Sequence, residues 1–350
     1  MKKKFSVLIA TYNSMRTLEM ALTSVRAQDY PADLIEILCV DGGSIDGSRA
    51  CAERYGARVI DNPEVLPVAA KLLGLREATG DYLMHVDADE VLAKRDAISK
   101  RARLFAENPE IKMIFGEGYK NPPGIPFAAR YINEFGDPFS MFYYRLSKDF
   151  RFFVPRLRKL YPICRESEAG IVFELSGGAQ PILENAACAN AIDLHFFREK
   201  FPDLCTKPWG PVHFFYHMQS HTRQFAITKN DPVLHHSADH WTSFLQKIRW
   251  RIVNNVFFPD AQAAGFIGRS AFDTRTKRIK KFFYLPYAFL VIPALIDSLH
   301  LMISRRDAQY ILHLPLTLYT ASTIVGMMVL KLLGRKPQLK VYGRKAVVGR

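Results

Sequence analysis

Tyr82-Leu83-Met84-His85-Val86-Asp87-Ala88-Asp89-Glu90 is the stretch on which the fold turns. Its first five residues read as a short strand over 82–86. The strand runs directly into a group of carboxylates. Asp87 and Asp89 are two residues apart, and in an extended chain they point the same way. Two hard oxygen ligands so placed suit Mg²⁺ or Mn²⁺ carrying a diphosphate, because the ion keeps sites for phosphate oxygens and water. Asp-x-Asp alone is also a common solvated turn. What gives it weight is a strand before it and two similar polar clusters upstream.

Working outward, Gly80-Asp81 breaks a helix that starts at Pro67 and runs to about Thr79. Phe5-Ser6-Val7-Leu8-Ile9-Ala10 is an apolar strand ending at Thr11-Tyr12-Asn13. It is too short for a signal peptide and no small-residue cleavage site follows. Met15, Leu18, Leu22 and Val25 then recur at helical spacing, with Asn13 or Ser14 as N-cap. A second strand over 34–40 ends at Asp41-Gly42-Gly43-Ser44, Asp46 caps a helix to about Tyr55, and a third strand covers 58–60. Downstream, a helix over about 95–107 precedes a strand over 112–116. Strands alternating with helices predict an α/β fold, a mostly parallel sheet with helices on both faces. Ligands in such sheets bind beyond the carboxyl ends of the strands. All three polar clusters fall at those ends. Asp41 can accept hydrogen bonds from a base or ribose, and the glycines after it let the backbone bend sharply. Neither a Walker phosphate loop nor a dinucleotide fingerprint is present.

Three blocks now carry a resemblance: Ser6 to Asn13, Val40-Asp41-Gly42-Gly43-Ser44-Ile45-Asp46-Gly47-Ser48, and Val86 to Glu90. With the helix Ala70 to Leu75 and the segment Ala78 to Tyr82 between them, residues 4–115 resemble the family 2 glycosyltransferases of the GT-A fold. The order and spacing of all the blocks agree. The resemblance implies inverting transfer of a sugar from a nucleotide-diphosphate sugar, with Mg²⁺ or Mn²⁺. It implies that Thr11 and Asn13 hold the nucleotide, that Asp41 contacts the base, that Asp87 lies near ribose and metal, and that Asp89 is the direct metal ligand. Lys71 and Arg76 are candidate diphosphate contacts on the intervening helix, where a solvated face is an equal reading.

The distal half departs from the pattern. Pro232-Val233-Leu234-His235-His236-Ser237 resembles the family's later strand and His, which makes His235 a candidate third metal ligand. Where an acidic pair supplying the base is expected, the chain reads Trp209-Gly210-Pro211-Val212-His213-Phe214, with no carboxylate. Glu199 and Asp203 are the nearby acids and the base candidates. A hydroxyl acceptor needs a base as it attacks, whereas a phosphate acceptor is already anionic. The aromatic run Phe139 to Tyr144, with Arg151, Arg156, Arg158 and Lys159, can cover a lipid-linked acceptor or form an ordinary packed strand.

Charge and hydropathy shape the remainder. The 350 residues carry 48 Lys/Arg against 34 Asp/Glu, a net charge of +14. Residues 241–350 hold 18 of the cations and four of the acids, so the whole excess lies there. The cations flank long apolar runs, which favours an anionic membrane surface. No zinc-finger, RRM or helix-turn-helix pattern supports nucleic acid. Five cysteines with no CxxC suggest free thiols in a reducing compartment. Trp241 to Trp250 has the spacing of an interfacial helix, with a helix packed on the catalytic domain an equal reading, and Phe282–Ile303 and Tyr310–Leu330 are apolar. Basic clusters precede and follow the pair, so the positive-inside rule keeps both ends cytoplasmic. A two-helix hairpin with Ser304 to Gln309 as outer turn fits, although Arg305 and Arg306 in that turn argue against it. Two helices lying in one leaflet are the alternative.

The expected organisation is therefore a GT-A domain over 1–240, divided into a nucleotide-sugar half (1–115) and an acceptor half (116–240). A basic juxtamembrane segment (241–281), two membrane helices (282–334) and a basic cytoplasmic tail (335–350) follow. The expected function is metal-dependent transfer to a membrane-associated, lipid-linked acceptor at the inner membrane, with the catalytic domain facing the cytoplasm. A polyprenyl-phosphate sugar synthase is a narrower alternative, and a non-catalytic nucleotide-sugar-binding scaffold a different one.

Overall fold

The structure is a computed structural model that describes residues 2–175, 188–206, 214–218, 221–237, 240–257, 272–335 and 337. The expected acidic-pair region at 209–213 and most of the tail lie outside these residues. In chain order the elements begin with β1 (Phe5–Thr11), α1 (Met15–Arg26), β2 (Ile35–Asp41), α2 (Ser48–Arg54), β3 (Arg58–Asp61), α3 (Pro67–Glu77) and β4 (Tyr82–His85). Next come β5 (Glu90–Leu92), α4 (Ala97–Glu107), β6 (Met113–Phe115), β7 (Tyr119–Lys120), α5 (Phe127–Phe135) and α6 (Pro138–Tyr144). Then follow α7 (Phe150–Leu160), β8 (Ile163–Glu166), β9 (Gly170–Glu174), β10 (Ala191–Asp193), α8 (Leu194–Lys200), α9 (Phe214–Met218), β11 (Gln224–Thr228) and β12 (Val233–His235). The described C-terminal helices are α10 (Trp241–Phe257), α11 (Arg275–Lys280), α12 (Tyr284–Phe289), α13 (Ile292–Arg305) and α14 (His313–Leu332).

The chain divides into two compact units. The first, Met1–Gly124 with Lys148–Ser237, holds a nine-stranded sheet in the order β3-β2-β1-β4-β10-β6-β11-β9-β8. β3, β2, β1 and β4 are parallel, as the alternation of elements predicts. β10 runs antiparallel to both β4 and β6, which makes the sheet mixed. Successive residues of β1 serve opposite faces. Phe5, Val7 and Ile9 pack with Leu18, Leu22 and Val25 of α1, while Leu8 meets Gly74 of α3 on the other face. The β1–β2 register sets Thr11 level with Asp41, and the β1–β4 register sets Leu8 level with His85. The three polar clusters therefore leave the sheet along one edge. Gly80 allows the turn into β4, since a Cβ there would lie 2.7 Å from Ser6 N and 2.9 Å from Lys4 O.

A second sheet, β5-β12-β7, has only three strands. β12 pairs antiparallel with β5, His235 opposite Glu90, and parallel with β7. A buried ion pair fastens its approach. Arg101 Nη1 of α4 lies 2.6 Å from Asp231 Oδ2, and both side chains are buried.

The second unit, Ile125–Ser147 with Ala238–Arg350, is helical throughout its described residues. It takes α5 and α6 out of the expected acceptor half. The reason is packing: Phe127, Tyr131 and Phe135 of α5 bury with Phe244, Ile248 and Ile252 of α10, Leu301 of α13 and Leu316 and Met327 of α14. Phe139 to Tyr144 thus belongs to this unit, while Arg151, Arg156, Arg158 and Lys159 lie on α7 of the other. Polar groups are tied off inside the helices. Tyr131 Oη lies 2.6 Å from His313 Nδ1, and Tyr287 Oη lies 2.9 Å from His313 Nε2. Buried Glu134 accepts from Ser147 Oγ at 2.7 Å and from Arg305 Nη2 at 2.6 Å. Among the described residues one helix, Ala308–Leu332, is long and apolar enough to cross a membrane. The other apolar segment passes that test only as a pair, Arg275–Phe289 with Ile292–Arg305, bent by 87° between them.

Candidate functional site

The Asp87–Glu90 loop is held by its last residue. Glu90 is fully buried, and its carboxylate accepts from Asp87 N at 3.0 Å, from Tyr119 Oη at 2.6 Å and from Cys188 N at 2.9 Å. Burial and the Asp87 charge push its carboxyl well above the usual range. Glu90 thereby ties the loop to β7 and to the segment before β10. The sequence shows Glu90 in the cluster without revealing this role, and nothing in it singles out Tyr119.

Pairing of β12 with β5 brings His235 to the same loop. His235 Nε2 lies 3.4 Å from Asp89 Oδ2, and His236 N donates to Asp89 O at 2.8 Å. The Tyr119 ring lies 4.6 Å from the His235 ring, centroid to centroid. Burial works to lower the His235 pKa, but the nearby carboxylates of Asp89, Glu90 and Asp87 outweigh it and raise the pKa. From α3, Lys71 Nζ reaches Asp87 Oδ1 at 3.1 Å. Four of the expected site residues, Lys71, Asp87, Asp89 and His235, therefore meet at one loop, although they are spread over more than 160 positions of sequence.

Asp41 is used locally. Its side chain is buried, with Oδ2 accepting from Gly43 N at 3.1 Å and Ser44 N at 3.0 Å, and Oδ1 from Ser44 Oγ at 2.5 Å. Arg49 Nη1 stands 3.7 Å away. Gly43 has φ 86°, the left-handed backbone this tight loop requires. Asn13, itself at φ 49°, links the first two loops: its Oδ1 accepts from Ile45 N at 2.9 Å and its N donates to Ser44 Oγ at 2.8 Å. Thr11 is buried at the end of β1, its Oγ1 without a hydrogen-bond partner among the described residues. Asp46 does more than cap one helix. Its Oδ2 accepts from Met15 N at the start of α1 while its Oδ1 accepts from Ser48 N at the start of α2. Ser14 is the N-cap of α1 by position, yet its side chain makes no cap bond.

Other candidates go elsewhere. Arg76 Nε donates to Cys205 O at 2.7 Å rather than reaching the loop. Glu199 ends α8, exposed and paired with Lys200 at 2.7 Å. Asp203 is exposed in the short turn Pro202–Thr206. Because β10 runs antiparallel to β4, Asp193 lies level with Tyr82, and α8 leaves from the edge opposite the Asp87–Glu90 loop. The topology therefore starts the segment that carries both base candidates, Glu199 and Asp203, from the edge away from the loop.

The donor set at the loop is the part-exposed carboxylates of Asp89 and Asp87, the latter paired with Lys71, and one imidazole, His235. That chemistry fits Mn²⁺ or Mg²⁺, whose remaining positions diphosphate oxygens and water can fill. Among the described residues, no group of three or more His, Cys, Asp or Glu side chains could hold an ion by itself.

Residues 6–158 match the family model for Glycosyl transferase family 2. These residues, under half of the chain, are similar to the family 2 glycosyltransferases. The matched stretch contains the Asp41, Lys71 and Asp87–Asp89 clusters, and His235 lies beyond it. Poly(ribitol-phosphate) β-N-acetylglucosaminyltransferase TarS of Staphylococcus aureus is 26% identical over 129 residues, 35% of this chain and 22% of that protein. The cholesterol galactosyltransferase of Borreliella burgdorferi is 30% identical over 117 residues, 31% of this chain and 32% of that protein. The chain thus spans only about a fifth to a third of these relatives. The mannosyltransferase PcManGT of Pyrobaculum calidifontis, solved in complex with GDP-Man and Mn²⁺, superposes with a TM-score of 0.52 at 16% identity. That superposition covers 95% of this chain and 88% of that one, and the likeness is one of fold, the GT-A fold.

Proposed function

We propose that this chain transfers a sugar from a nucleotide-diphosphate sugar to a membrane-associated, lipid-linked acceptor, with Mg²⁺ or Mn²⁺, at the cytoplasmic face of the inner membrane. The observation that carries the transfer reading is the meeting of Asp89 and His235 at 3.4 Å beside the Lys71–Asp87 pair, three of the four inside the stretch that matches family 2. Asp89 and His235 would hold the ion, which when bound neutralises charge on the leaving nucleoside diphosphate. Lys71 adds a fixed positive charge at the same loop. The loops around Asn13 and Asp41, braced by Ser44, form the floor for the nucleotide. Glu90 keeps the metal-facing loop in place from beneath. The acceptor attacks the sugar carbon from the face opposite the diphosphate, so configuration inverts. A lipid acceptor is supported by the apolar C-terminal segments and their basic flanks, and by the B. burgdorferi relative that acts on cholesterol.

A second reading, a polyprenyl-phosphate sugar synthase, is favoured by the placement of Glu199 and Asp203 away from the loop, since a phosphate acceptor needs no base. One assay tests both. The detergent-solubilised full chain is given a panel of nucleotide sugars and a membrane-lipid extract, with Mn²⁺ or a chelator. Release of nucleoside diphosphate from one donor, dependent on lipid and metal, is the expected result. Release sustained by purified polyprenyl phosphate alone selects the second reading. No release from any donor by folded protein overturns transfer and leaves the scaffold. Release undiminished by chelation overturns the metal.

A further inference from the structure

α13 presents Ile292, Ile296, Leu299 and Ile303 to solvent, at 67%, 60%, 44% and 78% exposure. Their spacing of four, three and four residues draws one stripe along the helix. Ala294, Ser298 and Leu301 on its opposite side are buried. At the 87° bend, Phe289 and Leu290 are exposed as well.

Directly before this face the chain reads Arg275-Thr276-Lys277-Arg278-Ile279-Lys280-Lys281, five cations in seven residues, followed by exposed Phe282 and Phe283. A sixth cation joins them from α6. Arg145 Cζ and Lys280 Nζ both stand over the Phe142 ring, at 5.9 and 5.3 Å. Burial, with Arg145 and Lys277 nearby, pushes the Lys280 ammonium down to about 8. Asp297 answers Arg145 at 2.6 Å, and Asp273 lies beside Lys277. The cations still outnumber these two acids.

The stripe is eleven helical rises long, about 17 Å, against a hydrocarbon core of about 30 Å. It is too short to cross. The turn after it is tied within the helical unit: Arg305 Nη2 and Ser147 Oγ bond the same oxygen of Glu134, at 2.6 and 2.7 Å, and Arg130 of α5 holds Asp307 at 2.8 Å.

We infer that α11–α13 is a docking surface for one leaflet of an anionic lipid bilayer, with the aliphatic stripe lying in the plane among the acyl chains and the Arg275–Lys281 cluster at the phosphates. A second copy of this chain is a poorer occupant, because it would bring the same cations together. The inference rests on the membrane half of the proposed function and not on transfer, so it is scored without donor.

The full chain is incubated with vesicles of phosphatidylcholine alone or with about a third phosphatidylglycerol, and floated. Wild type is expected to float at least tenfold better with the anionic vesicles. Ile296→Glu/Ile303→Glu should lose at least tenfold while keeping the wild-type elution and melting profile, because both side chains are exposed. Arg275→Glu/Lys281→Glu should lose the preference for anionic lipid. Ala308→Cys, in the turn, should react with an impermeant maleimide added outside the vesicles. Equal flotation of the stripe variant and wild type would overturn the inference. So would protection of Cys at position 308, or a dimer that the stripe variant dissolves without changing flotation.

Discussion

Replacing Arg101 with Met tests what holds β12, and with it His235, against the sheet. Arg101 is buried, and its guanidinium donates to Asp231 Oδ2 at 2.6 Å, Ala97 O at 2.6 Å and Ala189 O at 2.7 Å. Asp231 stands two residues before β12, and its N donates to Glu117 Oε2 at 2.8 Å. Met fills much of the volume but leaves the Asp231 carboxylate buried without its cation. Breaking a buried pair in this way costs about 3–5 kcal/mol, a large part of a typical domain's 5–15 kcal/mol. Cys39 and Cys51, fully buried in the sheet-bearing unit, report its opening, and exposed Cys164 serves as an internal control. At about 1.4 kcal/mol per factor of ten, maleimide labelling of Cys39 and Cys51 should accelerate roughly 140- to 3700-fold while Cys164 labelling is unchanged. Arg101→Met/Asp231→Leu removes both charges and should recover most of the loss, since apolar replacements of buried pairs are often near neutral. A single variant less than tenfold faster than wild type, or a double variant no slower than the single, would refute the reasoning.

Asp89→Asn should lower nucleoside-diphosphate release at least about a hundredfold, or about 2.7 kcal/mol in the barrier, with Cys39 protection unchanged; near-normal turnover would remove Asp89 from the metal site. Glu90→Ala leaves Tyr119 Oη and Cys188 N without their acceptor in a buried place and should cost about 1–3 kcal/mol by the same labelling assay; Glu90→Gln, which keeps an acceptor oxygen, should cost less, and equal losses would contradict the bracing role. Gly80→Ala drives a Cβ to 2.7 Å from the β1 backbone and should cost about 1–3 kcal/mol, a clash that a neutral melting temperature would disprove. Glu166 is held down at about 2 by Arg158 and Lys229. Its folded pKa lies below the unfolded one, so its stabilisation is present above about pH 4.5 and is lost as pH falls towards 2. The site is exposed, so Glu166→Gln should shift acid unfolding by under about 1 kcal/mol, and a larger shift would mean the trio is shielded from water.

The sheet and the loop at its edge were legible for one physical reason. β1, β2 and β4 are apolar runs ended by polar turns, and a parallel sheet places all such ends together. Asp87, Asp89 and the glycine loop after Asp41 follow from that rule alone. Glu90 was visible but mute, since a carboxylate facing solvent and one buried under a loop are the same letter. For Glu199 and Asp203, sequence shows that α8 follows a strand, not that β10 is antiparallel. Reversing one strand moves Glu199 and Asp203 to the opposite edge.

Hydropathy reads the C-terminal third as two apolar segments and counts Arg305 and Arg306 as charges to be explained. It does not see Glu134, which arrives from α5, more than 160 residues earlier, and takes up Arg305 in a buried bond. Nor does it see that the first segment breaks at Leu290 and turns by 87°. Val291 at φ 62° is the local sign of that break, a left-handed backbone at a β-branched residue. Pro293 follows at the first turn of α13, where a missing N–H does no harm. So interrupted, the segment is long enough for a span only as a bent pair of helices. Its exposed aliphatic residues nevertheless fall on one face. An apolar run whose exposed residues form one stripe, beside a block of cations, is the pattern of a helix that lies on a membrane. Such a helix needs no second crossing to return its charged end to the side it came from.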